Sequence, residues 1–193
     1  MAIRSLKTGT FTRSGMAGNP IIMPGSYESI ASVSPSAGTA YVDFTSIPST
    51  YAHLQIRAIC RSNDGSAGNN NGIYARFNSD SGSNYAFHFL TGNGSAAGAA
   101  GIASQTEMFI NAANPRGGDT ANVYSANVID ILDYANTNKY KTVRALTGDD
   151  LNGSGVVRLF SGLWMSATAI SSIRITMEGN FAANSQLALY GVN

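Results

Sequence analysis

The chain has 193 residues, 44% of them hydrophobic and only 12% Asp, Glu, Lys or Arg, with a formal net charge of +1. That length fits one domain, or one domain with a tail, and supports a core without staples. A near-neutral chain lacks the basic stripe of a general nucleic-acid binder, a single cysteine excludes an intrachain disulfide, and no apolar run reaches the ~20 residues of a membrane span.

The charged fraction is roughly half the ~25% of an average globular chain. Gly, Ser, Thr, Asn and Ala fill the gap. Such a surface suits dense packing against neighbours, because few long side chains must be immobilised on contact. It equally suits an ordinary loop-rich β protein.

Residues 1–25 show no periodicity and carry Gly9, Gly15, Gly18, Pro20, Pro24 and Gly25. They also carry Ile3, Leu6, Phe11, Met16, Ile21, Ile22 and Met23, which a purely solvated tail would not need. Leu6, Phe11, Ile21 and Ile22, with the basic Arg4, Lys7 and Arg13, are the expected partner-binding set of an extended N-terminal arm that docks on a neighbouring subunit. The alternative is an edge segment lying on its own domain. The glycines and prolines break any amphipathic transit helix, and an apolar secretory core is missing, so the expectation is use without translocation.

From Tyr27 the pattern becomes short alternating runs cut by turn residues. Tyr27–Val33 is the first. In Thr39–Thr45, Tyr41 and Asp43 oppose Val42 and Phe44; Ser46–Ser49 then turns at Pro48. His53–Arg61 is the clearest strand, with Leu54, Ile56, Ala58 and Cys60 on one face, which makes Cys60 a buried small hydrophobe. Ile73–Asn78 and Tyr85–Thr91, joined by a turn at 79–84, are expected to form a hairpin. Gly92–Gly101 is a small-residue loop, and Gln105–Asn111 a weak strand. The near-continuous apolar run Val123–Tyr134 predicts a central strand covered on both faces. Lys139–Gly148 alternates, Asp149–Gly153 is a hairpin turn whose Asn152-Gly153 supplies positive φ, and Gly155–Ser161, the segment around Trp164, Ile170–Glu178 and Ser185–Val192 complete the chain. Turn signals every ~8–12 residues without helical periodicity predict an all-β, antiparallel β-sandwich of jelly-roll type with about ten strands over residues 26–193.

No motif for catalysis emerges. His53 and His88 lack convergent ligands, so no metal or cofactor is expected. Asp130, in an apolar run, needs a partner, and Arg144 or Lys141 is the candidate for a structural ion pair. Asp149–Gly153 resembles part of a calcium loop but lacks its terminal Glu. Alternation places Tyr74, Tyr85 and Tyr140 outward, where tyrosines stack on sugars.

Several blocks carry a resemblance. The leader Met1–Ser14, Tyr27–Ala31, Ile47–Tyr51 with His53–Arg57, Phe77–Tyr85, Asp130–Thr142 and Ser161–Met165 resemble small virion proteins of tailed bacteriophages from marine and freshwater hosts. The resemblance spans nearly the whole chain. It implies a non-enzymatic virion component, assembled in the host cytoplasm, with no catalytic residues to carry over. Two stations follow. One is a capsid decoration, or cement, protein: a homotrimer on the major capsid protein, locked by its arms. The other is a tail or fibre component touching a host-surface glycan. The chain lacks a fibrous shaft or heptad region, which favours decoration. Neither a nucleic acid nor a membrane is an expected partner.

Overall fold

A computed structural model describes residues 26–68 and 71–193. All seven arm residues, Arg4, Leu6, Lys7, Phe11, Arg13, Ile21 and Ile22, lie outside the described residues. The described chain is all strand and loop. The strands are β1 (Tyr27–Val33), β2 (Thr39–Phe44), β3 (His53–Cys60), β4 (Asn71–Phe77), β5 (Tyr85–Gly92), β6 (Ala97–Gln105), β7 (Met108–Asn114), β8 (Ser125–Leu132), β9 (Lys141–Asp150), β10 (Gly155–Trp164), β11 (Ile173–Phe181) and β12 (Gln186–Val192).

They form two antiparallel sheets: an eight-stranded sheet ordered β1-β12-β3-β8-β9-β10-β5-β6 and a four-stranded sheet ordered β2-β11-β4-β7. The pairs β1–β12, β2–β11, β3–β8 and β4–β7 are nested, and they alternate between the sheets. Inward positions follow the period of two. Leu54, Ile56, Ala58 and Cys60 of β3 meet Ile73, Ala75 and Phe77 of β4 and Ile173, Ile175 and Met177 of β11 in one buried cluster. Burying such side chains contributes about 1.5–3 kcal/mol each, the main term holding the sheets together.

One end of the interior is polar and satisfied internally. Asn111 Nδ2 donates to Asn127 Oδ1 (2.8 Å), Asn114 Nδ2 to the Asn71 carbonyl (2.7 Å) and Ser125 Oγ to Asn114 Oδ1 (2.5 Å). Below it, buried Arg61 donates to the carbonyls of Thr120, Val123, Asp119 and Gly117, so one guanidinium fixes the loop before β8.

Four expectations are corrected. The segment expected as a small-residue loop is largely β6, paired to β5 from Gly92↔Ala97 to Tyr85↔Gln105. Ala and Gly hide this strand from a propensity reading. Second, β4 and β5 form no hairpin, because they belong to different sheets. Asn78 and Ser79 take left-handed φ of 50° and 58°, and the Tyr85 hydroxyl accepts the Phe77 N–H (3.0 Å), filling a ladder position and turning the chain across the sandwich. Third, Tyr85 does not face outward: it is buried against Phe77 and Trp164. Last, the Val123–Tyr134 run is covered on one face only, for Ser125, Asn127, Ile129 and Ile131 are buried while Val128 is exposed.

Candidate functional site

The smaller sheet covers only part of the larger one, and among the described residues no layer lies over the outer face of the eight-stranded sheet. That face is built in rows, because strands in register align every second residue. One row runs Ala99, Leu90, Leu159, Leu146, Val128, Arg57 across β6, β5, β10, β9, β8 and β3. Leu90 is 60% exposed, Leu146 55% and Leu159 46%. The row on one side adds Val157 and Ile59, 56% and 53% exposed, with Gly148 and Ala126 between them. Exposed apolar side chains scattered singly are ordinary; a contiguous belt marks an interaction surface.

The row on the other side is polar: His88, Ser161, Arg144, Asp130, Gln55, Tyr190. Arg57 Nε donates to Gln55 Oε1 (2.7 Å), and Gln55 Nε2 donates to Asp130 Oδ1 (2.8 Å). Asp130 is therefore half-buried and held by an amide. The ion pair expected with Arg144 or Lys141 is not formed, a correction with a geometric cause. Arg144 sits beside Asp130 in register yet makes no ion pair or hydrogen bond among the described residues. Lys141 points the other way, into the sandwich, where its ammonium donates to the carbonyls of Asn136 (2.5 Å), Lys139 (3.0 Å) and Ala167 (3.2 Å). Burial, and then the Lys139 charge, lowers the Lys141 pKa. The Arg57 guanidinium lies 5.0 Å from the Tyr27 ring centroid and 5.3 Å from that of Tyr190. The His88 ring is folded over Gly101, where a β-carbon would lie 2.2 Å from it, and borders a shallow depression with Leu90, Leu159 and Arg144.

His53 stands apart from this face's centre. Its Nδ1 accepts the Asp133 backbone N–H (2.9 Å), so the neutral ring carries its proton on Nε2. The Asp133 carboxylate pairs with Lys139, whose hydrogen bond holds the Asp133 pKa below the usual carboxylate value. The Asp149–Gly153 segment is a hairpin turn, closed by Leu151 N–H to the Ser154 carbonyl (2.6 Å), with Asn152 at φ 65° and Gly153 at φ 110°. Among the described residues no three His, Cys, Asp or Glu side chains converge on a common point, and no helix is long and apolar enough to cross a membrane. Of the tyrosines expected outward, Tyr140 is 54% exposed and Tyr74 is half-buried against Phe109.

The apolar belt is what the sequence reading passed over, although a signal for it exists. Alternation continued from Arg144 sets Leu146 on the outer face, and alternation from Phe160 does the same for Leu159. A leucine in the polar phase of a strand is that signal.

These features define a class: an all-β antiparallel sandwich with one broad apolar sheet face left open among the described residues. No family model matches the chain, and no curated protein matches it. A solved structure, a protein of unknown function from Shewanella oneidensis MR-1, matches at 10% identity over 87% of this chain and 76% of that one, with a TM-score of 0.23. At that score the likeness carries no argument about fold or function.

Proposed function

We propose that this chain is a non-enzymatic structural protein of a tailed-phage particle, a decoration protein that sits on the shell in homotrimers and grips its neighbours through residues 1–25. The observation that carries the reading is the open face of the eight-stranded sheet, with Leu90, Leu146, Leu159 and Val157 exposed in adjoining rows. A chain so poor in charge, with such a face left open among its described residues, is suited to assembly. The blocks that resemble phage virion proteins support the same reading. We also read the sandwich as a jelly roll: the nested pairs β1–β12, β2–β11, β3–β8 and β4–β7 support it, with β5, β6, β9 and β10 as an extension of one sheet.

The arm adds avidity. One extended segment binds weakly, while many symmetric copies raise effective concentration. Immuno-gold labelling of purified particles with an antibody against this chain tests the assignment. Label spread over the head is the expected result, and deletion of residues 1–24 removes it. Particles that carry none of the chain overturn the proposal. A second reading, a tail component binding host glycan, rests on the exposed ring of Tyr140; label confined to the tail tip would replace the first reading with this one.

A further inference from the structure

The open face has a property beyond being apolar: its rows are self-complementary about the middle of the sheet. In the order β1-β12-β3-β8-β9-β10-β5-β6, that middle falls between β8 and β9. A second copy placed face to face, turned about an axis along the strands at that point, brings β8 opposite its β9 and β3 opposite its β10. The ladder registers then fix which residues meet. Val128 lies opposite Leu146 of the second copy, Ile59 opposite its Val157, and Ala188 opposite its Leu90. Arg57 lies opposite Leu159 of the second copy and meets it through its side-chain stem, because its guanidinium is already held by Gln55 Oε1 and by the Tyr27 and Tyr190 rings of its own chain. Asp130 lies opposite Arg144 of the second copy, and Arg144 opposite its Asp130. The geometry points to a twofold, isologous pairing of this chain through the outer face of its eight-stranded sheet.

Three observations argue for a copy of the same chain as the occupant. The first is charge. Within one chain Arg144 has no partner among the described residues, and Asp130 spends only Oδ1, on Gln55. The twofold turn satisfies both groups twice, where an unrelated apolar surface would strand them. The second is shape. Between Val157 and Ile59 lie Gly148 and Ala126, small residues that leave room on the axis beside the bulkier Val128 and Leu146 of the two copies. The third is area. Eight strands at ~4.8 Å and about six residues at ~3.3 Å span roughly 750 Å² per copy, close to the ~800 Å² per partner of a standard stable interface. Two such sheets stack as aligned layers about 10 Å apart, the ordinary sandwich packing.

The inference rests on the assembly reading above and supplies the surface for it. A threefold contact through residues 1–25 and a twofold contact through this face use different parts of the chain.

Sedimentation equilibrium of the full chain at micromolar concentration tests it. The wild type should run at twice its 20.1 kDa mass, or at six times that mass where the threefold contact through residues 1–25 also forms in solution. Leu146→Glu and Arg144→Glu should each raise the dissociation constant about 100-fold or more, since each buries a charge that faces apolar groups or a like charge. Both residues are exposed, so far-ultraviolet circular dichroism should stay unchanged. The swap Asp130→Arg with Arg144→Asp rebuilds the same pairs with reversed sign and should restore pairing. A mass of one copy or of three overturns the inference, as does a pair that survives both single variants. A monomeric wild type that loses particle attachment on Leu146→Glu assigns the face to a shell protein and overturns the pairing alone. A paired chain absent from particles overturns only the virion reading.

Discussion

Cys60 ends β3 on the inner face, wholly buried, and that burial pushes its thiol up to about 12 from the ordinary 9.0. The folded chain therefore keeps a proton that the unfolded chain loses. A raised pKa contributes stability that is full below the unfolded value and is lost as pH rises towards the folded one. By about pH 10 the loss amounts to about 1.4 kcal/mol. Urea midpoints at about pH 8 and about pH 10, for the wild type and for Cys60→Ala, measure it. The wild type should lose about 1.4 kcal/mol more than the variant over that interval, and identical losses would refute the burial argument. The inward position of Cys60 was legible from Leu54, Ile56 and Ala58, which share its phase. The environment of Asp130 was not. Alternation gives the face of a residue, but its neighbours on that face, Gln55 and Arg144, depend on which strands pair and in what register. Tyr85 was misplaced for a different reason: the strand begins at that residue, so there was no established phase to count from.

Elements were legible where both sides of the alternation are marked. In β9, Lys141, Val143 and Ala145 face in while Thr142 and Arg144 face out, and Asn152-Gly153 announces the turn into β10 through the positive φ that a two-residue hairpin requires. β6 fails on both counts. From Ala97 to Ser104 every residue is exposed, and the four-stranded sheet ends at β7, which packs chiefly against β10 and β9. Alanine and glycine give it neither β propensity nor buried area, so its ladder to β5 is nearly all that holds it. Local opening of such an element costs far less than global unfolding. In hydrogen–deuterium exchange read by mass spectrometry, peptides spanning 97–105 should exchange at least ~10-fold faster than those spanning β8 and β9. Equal protection of the three strands would show that β6 is held by something besides β5.

At the scale of the whole molecule, the sheet count and antiparallel sandwich could be read from turn spacing, while the uneven split into eight and four strands could not. That split depends on β5 leaving β4 for the other sheet, a decision made by the Tyr85 hydroxyl at the Phe77 N–H and by Asp80, which accepts from Trp164 Nε1 (2.7 Å) and Asn84 Nδ2 (2.9 Å). Among the described residues, β1 to β12 complete both sheets around one buried cluster. The body should accordingly fold without its first 24 residues. Trp164, the single tryptophan, is 2% exposed between Phe77 and Tyr85 and reports on the join between the sheets. A chain starting at Gly25 should keep the blue-shifted emission of a buried indole and a thermal midpoint within about 3 °C of the full chain, since a change of 1 kcal/mol moves a domain of this size by about 2–4 °C. A chain starting at Ser34 loses β1, bares the β12 edge and uncovers the partly buried Ile30 and Val33 sites against the core. Its midpoint should fall by more than about 10 °C. If removing the first 24 residues alone costs that much, those residues belong to the body of the sandwich, and the arm that grips a neighbour does not exist.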